Sequence, residues 1–180
     1  MSLNIKLTAQ EINEILWRTH KTISTAESCT AGRVANTLTS IPGASAYFKG
    51  GLIAYTNELK ISMLGVDAEI IESKTPASEE VVRQMVVGAN KMFGTDYSVA
   101  VSGFAGPGGP DPKTGLRPGL IWVAVGNSDT ILTQKLTEDD GRERNIQNAT
   151  AAAMRLLLEI VRQDLDDEEN NSEAEAVIAE

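Results

Sequence analysis

A chain of 180 residues, 42% hydrophobic, with one cysteine and one histidine, is long enough for one α/β domain with its own core. That composition excludes an internal disulfide and a Cys/His cage for structural zinc. The formal charge is −9, but residues 164–180 hold eight acidic groups and no basic one, so the remainder sits at −1, with no basic surplus for nucleic acid.

The predicted elements run as follows. Thr8 and Glu11 make a capping-box pattern ahead of Ile12, Ile15 and Leu16, which predicts a helix to about His20. Residues 22–26 alternate and are rich in β-formers, predicting a strand. Ser28 or Thr30 is expected to cap a second helix through Val34 and Leu38, ending at Ile41-Pro42-Gly43. A second strand is expected over 51–55, entered from a Phe48-Lys49-Gly50 turn. Asn57 opens a short helix to about Leu64, and Ser78 caps a longer one carrying Val81, Val82, Met85, Val86, Ala89 and Met92. Residues 97–102 read as a strand, followed by a Gly- and Pro-rich loop over 103–119. Residues 120–125 and 131–136 read as a hairpin pair around Gly126-Asn127-Ser128-Asp129. Residues 141 to about 162 form the last helix, with Met154, Leu157, Leu158 and Val161 on its face. Residues 164–180 read as a solvated, disordered acidic tail. This order predicts an α/β fold, a three-layer α/β/α sandwich with a mixed, mostly parallel sheet, in one domain over 1–163. No apolar run approaches the roughly 20 residues of a membrane helix, and the first residues lack a long apolar leader, so a cytoplasmic protein away from membranes is expected.

Four segments carry candidate chemistry. Thr25-Ala26-Glu27-Ser28-Cys29-Thr30-Ala31-Gly32 runs from a strand end into a helix start, where ligands of open α/β sheets bind and N–H groups are unpaired. A hydroxyl there serves as a nucleophile beside oxyanion donors, or Ser28 and Thr30 serve only as caps. Cys29 is a rival nucleophile whose plainer alternative is a small buried hydrophobe. Tyr55-Thr56-Asn57-Glu58-Leu59-Lys60 lies at a second strand-to-helix junction. With histidine scarce, Lys60 is the available base for a serine once desolvated, and Tyr55 relays a proton or orients an amide; the plainer alternative is a solvent-facing lysine and a core-edge tyrosine. Ser102 and the glycines from Gly103 to Gly109 form an anion-binding nest or merely a turn. This loop is neither a P-loop nor G-x-G-x-x-G, since Asp111 stands where the third glycine belongs. Arg142, at the start of the last helix, could clamp a phosphate or simply be solvated. Composition alone leaves an oxygen-liganded Mg²⁺ open.

Taken jointly, TAESCTAG, AYTNELK, VSGFAGPGG and the Gly119 to Trp122 strand resemble the CinA C-terminal domain family, also known as nicotinamide-nucleotide amidohydrolase, over roughly residues 8–162. The resemblance implies a three-layer α/β/α fold. It implies hydrolysis of nicotinamide mononucleotide to nicotinate mononucleotide plus ammonia, without metal or redox cofactor. It also implies a serine nucleophile assisted by lysine, matching Ser28 and Lys60 with Tyr55 nearby. The expected substrate-binding residues are Glu27, Cys29, Thr30, Gly32 and Asn57, with Ser102, Gly103, Ala105, Gly106 and Arg142. Partners are expected to be a small nucleotide substrate and a second copy in a homodimer or larger homo-oligomer, with no nucleic acid. Three departures from the common family pattern stand out: Ala31 for a second glycine, Leu120-Ile121 after Gly119, and Ile146 for a second arginine. These departures motivate two alternatives, a non-catalytic nucleotide-binding module and an amidase for another small amide.

Overall fold

The computed structural model describes residues 3–178 apart from Ser128. In chain order the elements are α1 (Leu3–Thr19), β1 (Ile23–Glu27), α2 (Arg33–Thr39), a single tight helical turn (Ala44–Ala46), β2 (Phe48–Ile53), α3 (Asn57–Leu64), α4 (Ala68–Lys74), α5 (Glu79–Phe93), β3 (Tyr97–Gly103), β4 (Ile121–Gly126), β5 (Ile131–Leu136) and α6 (Arg142–Ile178). The strands make one sheet in the order β2-β1-β3-β4-β5. β1 is parallel to β2 and β3, while β4 is antiparallel to β3 and β5. Four strands therefore point one way and β4 alone is reversed.

The alternation along the central strands decides the layers. Val99 and Val101 of β3 and Val123 and Val125 of β4 face α1, α2 and α6, where they meet Ile12, Leu16, Leu38, Met154, Leu157 and Ile160. The intervening Ala100 and Ala124, with Ala26 of β1, face Val82, Met85, Val86 and Ala89 of α5. Small residues on that face let α5 lie close, and Gly88 does the same for α3: a Cβ there would come 2.0 Å from the Leu64 carbonyl oxygen. Because both faces are covered, β1 is buried at all five positions instead of alternating.

Several boundaries differ from the sequence reading. α1 begins at Leu3, so Thr8 lies inside it and donates its hydroxyl to the Asn4 carbonyl at 3.0 Å; a threonine that back-bonds one turn mimics a cap in sequence. The supposed turn at Phe48-Lys49-Gly50 is the first half of β2, held by pairing to β1. α4 escapes detection because it is short and only Ile71 is buried. α6 does not stop near Arg162 but runs to Ile178. No glycine or proline follows Gly141, and Glu and Ala favour helix. Just past 163 this helix is still tied to the sheet: Asp164 accepts hydrogen bonds from the Tyr97 hydroxyl at 2.6 Å and the Asn127 amide at 3.1 Å. No helix among the described residues is long and apolar enough to cross a membrane.

α2 links β1 to β2 on one face, whereas α3–α5 link β2 to β3 on the other. The first crossover runs from β1 outward to β2 and the second returns past β1 to β3 on the opposite face, which opens a crevice at the carboxyl ends of β1 and β3.

Candidate active site

Three strand ends meet there. Glu27, last in β1, is level with Ile53 of β2 and Val101 of β3. Ser28 follows, its N–H donating to the Val101 carbonyl at 2.9 Å. Residues 28–32 form a turn rather than the start of a helix, with Ala31 at φ +49° and Gly32 at φ +92°. Ala31 thus adopts a left-handed conformation usually given to glycine.

Neither Ser28 nor Thr30 caps α2. Glu27 does so: its carboxylate, 1% exposed, accepts from the N–H groups of Gly32 (3.0 Å), Val34 (3.1 Å) and Ala35 (2.9 Å). A charged cap reaching over the turn leaves the Ser28 hydroxyl free for chemistry. Glu27→Ala is therefore expected to destabilise the fold by about 3 kcal/mol in urea unfolding, because three N–H donors, one buried and two part-buried, lose one buried acceptor. Glu27→Gln, which keeps an acceptor oxygen, should recover part of that loss.

Thr56 caps α3, accepting from the Leu59 N–H. One turn in, Lys60 points inward and is 2% exposed. Its Nζ lies 3.2 Å from Ser28 Oγ and 3.0 Å from the Ala54 carbonyl oxygen, to which it donates. Burial holds the Lys60 ammonium below the ordinary lysine range, against the opposing pull of Cys29 and Glu58. The same burial pushes the Cys29 thiol up to about 12, so the sulfur stays protonated near neutral pH. Within the turn, the N–H groups of Ala31 and Arg33 go to Ser28 and Thr30 carbonyls and that of Gly32 to Glu27. Those of Cys29 and Thr30 have no partner among the described residues.

The crevice encloses about 590 Å³. Of the expected residues, Ser28, Cys29, Tyr55, Asn57, Lys60, Ser102, Gly103, Ala105, Gly106 and Arg142 line it. Glu27, Thr30 and Gly32 do not line it: they shape the turn, and Thr30 is 1% exposed with a hydroxyl that has no partner among the described residues. Tyr55 meets the site at two of its oxygens. Its carbonyl is 3.5 Å from Ser28 Oγ, while its half-exposed phenol accepts from Arg142 at 3.2 Å. Arg142 also donates to the Gly106 carbonyl. Ser102 spends its hydroxyl hydrogen on the Pro76 carbonyl at 2.7 Å. Gly103 is required by close approach, since a Cβ there would come 2.4 Å from the Leu120 carbonyl oxygen where the loop returns.

The sequence reading missed Asn145, buried beneath the loop. It donates to the Ala105 carbonyl at 3.1 Å and to Asp139 at 2.8 Å, tying loop to helix. It also missed the far wall, formed by Pro76, Phe104, Pro110, Asp111, Leu116 and Pro118. The density of proline and glycine over 103–119 was the available signal. Ile146, 6% exposed, belongs to the core against the sheet and makes no part of the cavity. No cluster of His, Cys, Asp and Glu suited to a metal ion is present among the described residues.

A serine hydroxyl 3.2 Å from a buried lysine nitrogen, set in the strand-end crevice of a three-layer α/β/α domain, is the arrangement the fold builds. The chain belongs to the CinA C-terminal domain family, whose sequence model matches residues 5–161. A CinA-like protein of Cytophaga hutchinsonii is 40% identical over 147 residues, 81% of this chain and 34% of the relative. One from Fervidobacterium nodosum is 44% identical over 128 residues, 71% of this chain and 31% of the relative. The chain thus spans about a third of the length of these curated relatives. Among solved structures, the competence/damage inducible protein CihA from Agrobacterium tumefaciens aligns with a TM-score of 0.81 at 33% identity, covering 88% of this chain and 98% of that one. A CinA superfamily protein from Klebsiella pneumoniae gives 0.82 at 28% identity, with 88% and 98% covered.

Proposed function

We propose that this chain is an amidohydrolase that converts nicotinamide mononucleotide to nicotinate mononucleotide and ammonia. The observation that carries the reading is the buried Lys60 amine, 3.2 Å from Ser28 Oγ in a cavity that also holds Arg142. The motif resemblance supplies the substrate.

In the first step Ser28 Oγ attacks the carboxamide carbon while the neutral Lys60 amine takes the hydroxyl proton. The N–H groups of Cys29 and Thr30 stabilise the tetrahedral oxyanion, worth roughly 3 kcal/mol per donor in well-studied hydrolases. The C–N bond then breaks, the nitrogen takes the proton back from Lys60, and ammonia leaves. Water attacks the resulting ester, Lys60 accepts its proton, and the Ser28 oxygen departs and is reprotonated. Arg142 holds the phosphate, exchanging the Gly106 carbonyl and Tyr55 phenol for a stronger anionic acceptor. Ile146 faces the core and takes no part in this phosphate contact.

The test is ammonia release by the purified protein from nicotinamide mononucleotide, nicotinamide riboside and free nicotinamide. Turnover that drops when the phosphate is removed supports the reading. Equal turnover of the riboside points to another small amide. Thermal stabilisation by the mononucleotide without ammonia release marks a binding module instead.

A further inference from the structure

Three charged side chains line the cavity: Lys60, Arg142 and Asp111. Lys60 is committed to Ser28 and Ala54. Arg142 supplies positive charge beside Gly106. Asp111 supplies the one carboxylate, on the loop wall among Phe104, Pro110, Pro112, Leu116 and Pro118.

The loop holds this carboxylate firmly by one of its two oxygens. Oδ1 accepts from the Lys113 N–H at 3.0 Å, the Thr114 N–H at 2.8 Å and the Thr114 hydroxyl at 2.8 Å. The Asp111 N–H donates to the Leu116 carbonyl at 2.8 Å, and the Asp111 carbonyl accepts from the Gly115 N–H at 2.8 Å. Oδ2 makes no hydrogen bond among the described residues. The Thr114 and Lys113 donors also hold the carboxyl below its usual range, so it is ionised at neutral pH and acts only as an acceptor.

An acceptor-only anion repels phosphate and attracts paired hydroxyls. In a ribonucleotide amide the carboxamide goes to Ser28 and the phosphate to Arg142. The donors that remain are the two adjacent sugar hydroxyls. We infer that Asp111 determines specificity for the sugar, its free carboxylate oxygen accepting hydrogen bonds from the vicinal hydroxyls of a ribosyl substrate. This rests on the amidase reading of the cavity and adds to it the reason for a ribosyl rather than a deoxygenated sugar.

Asp111→Asn is the discriminating variant. It keeps a carbonyl oxygen for the three loop donors and replaces the free acceptor with an NH₂ donor. Thr114→Ala loosens the loop while leaving the carboxylate in place, and so reads a merely structural role. The probes are nicotinamide mononucleotide and its 2′,3′-dideoxy analogue. The readouts are KM and kcat for ammonia release and, independently of turnover, calorimetric binding of both probes in a Ser28→Ala background. The wild type is expected to favour the mononucleotide by about tenfold to hundredfold in KM, as a hydrogen bond to a charged group implies. Asp111→Asn should bring that ratio near one by weakening the mononucleotide, and Thr114→Ala should preserve it. Equal affinity of the wild type for both probes, or full discrimination retained by Asp111→Asn, overturns the inference. Discrimination shown by the Ser28→Ala protein and lost on adding Asp111→Asn in the binding assay, with no ammonia released by the wild type, supports the inference and overturns the amidase reading alone. Failure of the Ser28→Ala protein to bind either probe, with no ammonia released by the wild type, overturns both.

Discussion

Ser28→Ala is expected to lower kcat for ammonia release from nicotinamide mononucleotide by roughly 10⁴-fold or more, the scale set by loss of a covalent nucleophile. KM and melting temperature should change little. Ser28 Oγ touches only Lys60 and the Tyr55 carbonyl among the described residues, and the turn that carries it is held by backbone bonds and by Glu27. Cys29→Ala gives the contrast. With its thiol pushed up to about 12 by burial, Cys29 stays a protonated thiol at neutral pH. The variant should keep turnover within about tenfold, and iodoacetamide should leave the wild type active. An active Ser28→Ala enzyme together with an inactive Cys29→Ala enzyme would move the nucleophile to sulfur.

Lys60→Met should lower turnover by about 10²–10⁴-fold and at the same time raise the melting temperature near neutral pH. Burial penalises the ammonium, so the folded-state pKa of Lys60 lies below that of the unfolded chain. Below the folded-state pKa both states hold the proton, and folding bears the whole cost of burying the charge. As pH rises from the folded-state value towards the unfolded one, the unfolded chain keeps a proton that the folded chain has released. Stability therefore increases with pH across that window. Methionine carries no charge, fills similar volume and removes the cost, so the variant should melt higher and lose this part of the pH dependence. Lys60→Ala leaves a cavity and should melt lower than Lys60→Met. The wild-type kcat/KM should rise with pH through an apparent pKa below the ordinary lysine range, because the neutral amine is the base. A profile that falls with pH through that range would assign the proton the opposite role.

The fold was legible where neighbours along the chain carry the signal. Ser78 caps α5 and accepts from the Val81 N–H, as its position before the apolar stripe implied. The Val/Ala alternation of β3 and β4 marked them as strands, and the hairpin paired as expected. Segments failed where a local pattern had two meanings. Thr8 fits both a cap and an interior back-bond, and Phe48-Lys49-Gly50 looks like a turn until β1 pairs with it. The acidic segment after 163 reads as unstructured by charge, yet it continues a helix anchored at Asp164.

The candidate site divides along the same line. Sequence by itself determined the three-layer class, the family, the placement of Ser28 and Lys60 at strand-to-helix junctions, and the shortage of histidine that turns attention to lysine. Only the tertiary structure decided that Glu27 caps α2 and so releases Ser28 from that duty. It also decided that the Tyr55 phenol belongs with Arg142, that Ile146 faces the core, and that Asp111 forms part of the far wall. The reason is physical. Periodicity and capping depend on residues a few positions apart, whereas these roles depend on strand register and loop return, which bring together groups separated by tens of residues and set how much water each one keeps.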